Sequence, residues 1–184
     1  GEWDAVTTEY RDTRGDVFHR DAKGYAGLHY VDTSGRNDIL TAKVAVGRRT
    51  IGFYAETADA LTPSDGNNWM LLLIDADNDS STGWYGYDFV INKKEKDGRT
   101  TTLMRYDSGS EQWIEVAELP YRYERNRLEV IVPRKLLGLT GDGFTFDFKW
   151  SDNAYELKDP ISLCLHGDTA PNRRFNYRCI WNRR

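Results

Sequence analysis

Phe144-Thr145-Phe146-Asp147-Phe148-Lys149-Trp150-Ser151 decides the fold class. Every second residue is aromatic, and the residues between them are polar. Only a backbone whose side chains alternate between two faces explains that period. The stretch therefore predicts a β-strand with three Phe and one Trp turned into a core. Working outward, Asp38–Val46 and Thr50–Glu56 flank Gly47-Arg48-Arg49, a hairpin with a three-residue connection. Asn68–Asp75 is a continuous apolar run, too short for a typical helix, and predicts a strand buried on both faces. Tyr87–Asn92 and Arg127–Val132 read as further strands. Thr101–Tyr106 and Gln112–Val116 form a second hairpin around Asp107-Ser108-Gly109-Ser110. Ile161–Leu165 and Arg174–Trp181 are expected to close the chain as a last strand pair. The one helical signal is Pro133-Arg134-Lys135-Leu136-Leu137-Gly138, with proline at the first turn and glycine at the end.

Ten or so short strands separated by turn residues mean an all-β sandwich or barrel. Too little helix is available to cover a parallel sheet. The expected architecture is a two-sheet antiparallel β-sandwich with one short helical turn, spanning residues 27–184. Residues 1–26 are rich in Asp, Arg, Thr and Gly without an apolar period. They are expected to form an irregular segment packed on the domain.

The length of 184 residues favours one domain. Lys+Arg number 25 against 29 Asp+Glu, a net charge of −4, so no basic excess argues for nucleic acid. No stretch approaches the ~20 apolar residues of a membrane span. The polar opening Gly1-Glu2-Trp3-Asp4 is no secretory leader. An exported protein after processing opens the same way. Two cysteines exclude a disulfide-dense scaffold. The unusual feature is aromatic content: 6 Trp, 11 Tyr and 7 Phe.

The motifs of nucleophilic and metalloprotease chemistry are absent: no G-x-S-x-G, G-x-x-x-x-G-K, H-E-x-x-H or C-x-x-C. The three histidines, His19, His29 and His166, are scattered. The most specific local feature is Asp75-Ala76-Asp77-Asn78-Asp79-Ser80-Ser81-Thr82-Gly83-Trp84. Three carboxylates at alternate positions leave the end of an apolar strand. Like charges that close repel unless a cation or backbone N–H groups answer them. Asp75, Asp77 and Asp79, with Asp88 nearby, are thus candidate ligands of a structural Ca²⁺. The run lacks the Gly and Glu of a helix-loop-helix calcium site. The competing reading is an Asp-rich turn that caps its own backbone.

Among the aromatics, Trp69 and Trp150 fall in predicted core strands, and Tyr121 and Tyr123 flank Arg122. Trp84 and Tyr85 lie in a glycine-rich loop, and Trp113 just follows a hairpin turn. Flat exposed rings stack on the apolar C–H faces of sugars. Trp84, Tyr85 and Trp113 are therefore the candidate ligand-binding residues.

Ile51-Gly52-Phe53-Tyr54-Ala55-Glu56-Thr57 followed by Trp69–Asp77, then Thr82–Asn92, and finally Leu128–Gly138 carry a resemblance. The pattern, over roughly residues 37–151, resembles family 9 carbohydrate-binding modules and their DOMON-like relatives. That resemblance implies an immunoglobulin-like antiparallel β-sandwich and structural calcium. It also implies a poly- or oligosaccharide partner, clamped between two tryptophans in the relatives that bind sugar. It further implies a non-catalytic accessory module of an exported bacterial polysaccharide-degrading protein, secreted, periplasmic or at the cell surface. A haem-binding branch of the group uses one Met and one His, for which Met70 and His166 are the available pair. A glycoside hydrolase using two of the 29 acids is the competing class. Cys164 and Cys179 fall on the predicted last strand pair, and free thiols are expected, because cross-strand disulfide geometry is narrow.

Overall fold

The computed structural model describes residues 2–17, 20–64, 68–95, 98–154 and 157–183. It is mostly β, as the alternating strand requires. The strands are β1 (Glu9–Arg11), β2 (Arg20–Lys23), β3 (His29–Asp32), β4 (Ile39–Val46), β5 (Thr50–Thr57), β6 (Leu71–Asp75) and β7 (Phe89–Glu95). They continue as β8 (Thr100–Asp107), β9 (Gln112–Glu124), β10 (Arg127–Pro133), β11 (Gly143–Asp152), β12 (Asp168–Ala170) and β13 (Tyr177–Asn182). Eleven of them form one antiparallel sheet in the order β1-β4-β5-β10-β9-β8-β7-β6-β11-β12, with β13 also on β11. β2 and β3 make a separate two-stranded sheet.

The large sheet turns over on itself at β9. Residues 112–120 of this strand pair with β8, and 121–124 pair with β10. The change of partner falls at Pro120, which has no N–H to donate to a ladder. The two halves face each other through their aromatics. Phe53 on β5 meets Phe146 and Phe148 on β11, each at 5.8 Å between ring centroids. All three rings are fully buried. Burying a side chain of that size is worth roughly 1.5–3 kcal/mol. This sandwich-like arrangement places the expected stripe in the core.

β6 is buried along its whole length. Leu72 and Ile74 face the main core, whereas Leu71 and Leu73 belong to a second cluster with Trp84, Tyr87, Val90, Ala154 and Leu163. On the polar side of β11, Lys149 and Ser151 are buried as well. Lys149 donates to the carbonyl of Pro171, and burial lowers its pKa to about 8.

Two local expectations are corrected. The last pair is not two strands: Ser162–Leu165 is a turn of α-helix, α1. Asp159 accepts from the Ile161 backbone N–H at 2.9 Å, and Pro160 suits a first helical turn. That start signal outweighs the apolar run. β13 pairs with β11 instead. Within the segment expected to be irregular, Glu9–Arg11 adds an edge strand to β4. Its Glu and Arg lie at an open edge, where charge is favoured, and so leave no apolar period. Tyr10 alone turns inward, edge-on to Phe148 at 5.1 Å. The expected helical turn is a 3-10 turn at Arg134–Leu137, closed by Gly138 at φ 71°.

Candidate functional site

The acidic loop leaves β6 and returns to β7. Asp75, Asp77 and Asp88 bring carboxylate oxygens within 4.8 Å of one another. The fold holds each in place by backbone donors. Asn78 N–H donates to Asp75 at 2.7 Å, Asp79 N–H to Asp77 at 2.9 Å, and Ala76 N–H to Asp88 at 2.8 Å. Burial, then the carboxylates of Asp88, Asp77 and Asp147, push the Asp75 pKa up to about 6. Asp88 is raised too, mainly by burial and by Asp77. Three hard oxygen donors suit a divalent cation such as Ca²⁺. Asp79 is not part of this group. It is exposed and accepts from Ser81 N–H at 2.9 Å and Ser81 Oγ at 2.6 Å, a side chain capping its own turn.

The expected aromatic platform is taken apart by the same loop. Trp84 and Tyr87 exchange backbone hydrogen bonds around Tyr85 and Gly86, whose φ values are 51° and 98°. Positive φ at both central residues is the type I′ pattern. This tight turn folds the Trp84 ring inward, where it is 3% exposed and stacked on Tyr87. Trp84 is therefore not an exposed sugar-stacking ring. Trp113 lies partly buried against it at 6.2 Å. Tyr85 alone of the three is exposed, at 63%. Gly83 makes the turn possible: at φ 60°, a Cβ there would lie 2.4 Å from the carbonyl oxygen of Tyr87.

Trp69 and Trp150 are core residues, with Tyr121 and Tyr123 packed beside Trp69. Met70 is fully buried in the main core, and His166 lies 3.4 Å from Asp32. His19 lies outside the described residues. Cys164 on α1 and Cys179 on β13 are free thiols.

Two features escape the sequence reading. The first is a second acidic group, Asp16, Asp38 and Asp168, with oxygens within 4.8 Å. Its members come from three distant segments, so no local spacing announces them. Burial, with Asp16 and Asp12 adding repulsion, pushes Asp168 up to about 8. Two backbone N–H groups, of Ile39 and Thr169, hold its oxygens at 2.7 and 2.8 Å. The second is a groove of about 660 Å³ on the outer face of β5, β10 and β9. Trp3 lies half-buried in it, stacked on Tyr54 at 5.1 Å, with its indole N–H donating to Glu129 at 2.5 Å. Glu2, Asp4, Arg122, Glu124, Asn126 and Arg127 are among its other lining residues. A Trp set between Glu2 and Asp4 was the available signal.

In comparison with known proteins, the chain matches no family model, no curated protein and no solved structure.

Proposed function

We propose that the domain is a non-catalytic glycan-binding module of immunoglobulin-like sandwich form, and that the Trp3 groove receives the sugar. The observation that carries this reading is the half-buried Trp3 ring set among planar hydrogen-bonding groups. A pyranose offers C–H faces to a flat ring and hydroxyls at its rim. The groove supplies the counterpart for both. Its rim offers exposed charged groups to sugar hydroxyls: Arg122 pairs with Glu124 at 3.0 Å, and Arg127 with Glu56 at 3.2 Å. Neither acidic group lines the groove.

The reading includes a Ca²⁺ held by Asp75, Asp77 and Asp88, with a structural role in the Trp84 loop. Service as an accessory part of an exported bacterial polysaccharide-degrading protein rests on the resemblance of the β-strand pattern. The test is affinity electrophoresis through gels containing neutral glycans, with reducing-end release assayed alongside. Retardation that Trp3→Ala abolishes, without sugar release, is the expected result. Reducing ends released by the purified domain would overturn it in favour of a hydrolase.

A further inference from the structure

We infer that a second groove, at the end of the sandwich, is a binding site for acidic glycans. It has a volume of about 1020 Å³ and lies between the β4–β5 turn, the 3-10 turn after β10 and the end of β13. Its lining holds five cationic side chains and one acid, Asp142, on a chain whose net charge is −4. Positive charge is thus gathered here against the trend of the whole molecule, and a cleft concentrates such a field.

The site is built from its floor. Arg134 is buried, and its guanidinium donates only to backbone carbonyls: Leu139 at 2.8 Å, Gly141 at 2.6 Å, Arg48 at 3.2 Å and Gly47 at 3.3 Å. It also lies 4.7 Å over the rings of Phe144 and Trp181. These contacts lock the two loops that form the walls, yet no carboxylate among the described residues pairs with the guanidinium. Arg183 is paired with Asp142 at 3.2 Å. Arg48, Arg49 and Lys135 are exposed along the walls. An oxyanion entering the groove therefore meets fixed positive charge below and three exposed cations around it, which favours charge-assisted contacts.

The occupant is fixed by charge density. A duplex presents one negative charge per ~1.7 Å of axis. The strongly acidic remainder of this chain repels such a polymer. Single strands need successive exposed rings, and here Trp181 is the one ring among the described residues of the lining. A glycan with one carboxylate or sulfate ester per sugar unit sets its charge in the groove and neutral hydroxyls over the flanks. This site is separate from the Trp3 groove and acts independently of it.

The experiment is calorimetric titration of the whole chain with oligogalacturonate, a sulfated oligosaccharide, a neutral oligosaccharide and duplex DNA. It is repeated on Arg48→Ala/Arg49→Ala/Lys135→Ala and on Trp3→Ala. The three cations are exposed, and circular dichroism and the melting midpoint check that the triple variant is folded. The expected result is binding of at least one acidic oligosaccharide that weakens tenfold or more in the triple variant and with added salt, and survives Trp3→Ala. The tighter of the carboxylate and sulfate arms names the group recognised. Binding no tighter than the neutral oligosaccharide, an unaffected triple variant, or a preference for duplex DNA would each overturn the inference. Loss in Trp3→Ala alone would instead locate the site in the other groove.

Discussion

Trp84 and Trp3 each stack on a tyrosine, and their surroundings are otherwise opposite. Trp84 lies on Tyr87 with Leu71, Leu73 and Val90 beneath it, closed over by a turn that only Gly83 and Gly86 permit. Trp3 lies on Tyr54 with charged side chains around it and one side open to a groove. The difference teaches that a loop address says little about exposure. A tight turn with positive φ can return a ring to the sheet it came from. A ring from a polar segment laid across a strand stays at the surface. The first is packing, and the second is available for recognition.

The strongest way to break this contrast is to truncate both rings. Trp84→Ala is expected to cost about 3–5 kcal/mol of stability, the range of large aromatic deletions in a core. Its glycan binding should be intact at temperatures where the variant is folded. Trp3→Ala is expected to cost no more than ~1–2 kcal/mol, through one ring contact and one hydrogen bond. Its glycan binding should disappear. Chemical denaturation and affinity electrophoresis of both variants check the pair. Equal losses of stability would show that Trp3 is also a packing residue.

The same contrast explains what was legible in the sequence. Strands whose two faces differ are written locally, so 144–151 and the β4–β5 hairpin fall where the period places them. β1 carries one inward residue, Tyr10, and three residues cannot display a period. The burial of Lys149 depends on segments remote in sequence, with the Pro171 carbonyl accepting from its ammonium. Asp75, Asp77 and Asp88 were legible because one loop carries them all. Asp16, Asp38 and Asp168 were not, because their proximity is made by the fold. Asp79 looked like its neighbours in composition and differs only in where its oxygens point.

A cation at the foot of the Trp84 loop sharpens the contrast next. If Ca²⁺ binds the native state only, a concentration one hundred times its Kd adds about 2.7 kcal/mol. For a chain of this size that is a rise of roughly 5–10 °C in melting midpoint. The rise should vanish with chelator and in Asp77→Ala, while glycan retention in the Trp3 groove is unchanged. A midpoint unmoved by calcium and by chelator would leave the loop as a set of self-capping turns.

Closed and open carboxylates differ in the same way as closed and open rings. Asp168 is 3% exposed, and its pKa is pushed up to about 8. A carboxyl that ionises later in the folded state than in the unfolded chain binds more protons when folded. Stability from this group is therefore present at low pH and is lost as pH rises from about 4 towards about 8. One proton limits the slope to about 1.4 kcal/mol per pH unit. Denaturation between about pH 6 and about pH 7.5, in chelator, is expected to give falling stability, and a flattened slope in Asp168→Asn. The variant's absolute stability is not the readout, because an amide can accept only one of the two backbone N–H donors that hold Asp168.

Asp79 is the open counterpart and carries the smallest expected effect. Its hydrogen bonds from the Ser81 N–H and hydroxyl hold its pKa below the ordinary value, the opposite direction to Asp168. A depressed carboxyl contributes stability that is present at neutral pH and is lost as pH falls through its folded pKa. Full exposure screens that contribution. Asp79→Ala removes one turn cap from a solvated loop, so its loss of stability is expected to be the smallest of the set. Asp79→Asn keeps an oxygen for the Ser81 N–H and should recover most of the loss. Neither substitution should change the calcium response, because the Asp79 oxygens lie outside the group formed by Asp75, Asp77 and Asp88. A calcium response lost in both variants would move Asp79 into the cation site and make the loop close around the ion when it binds.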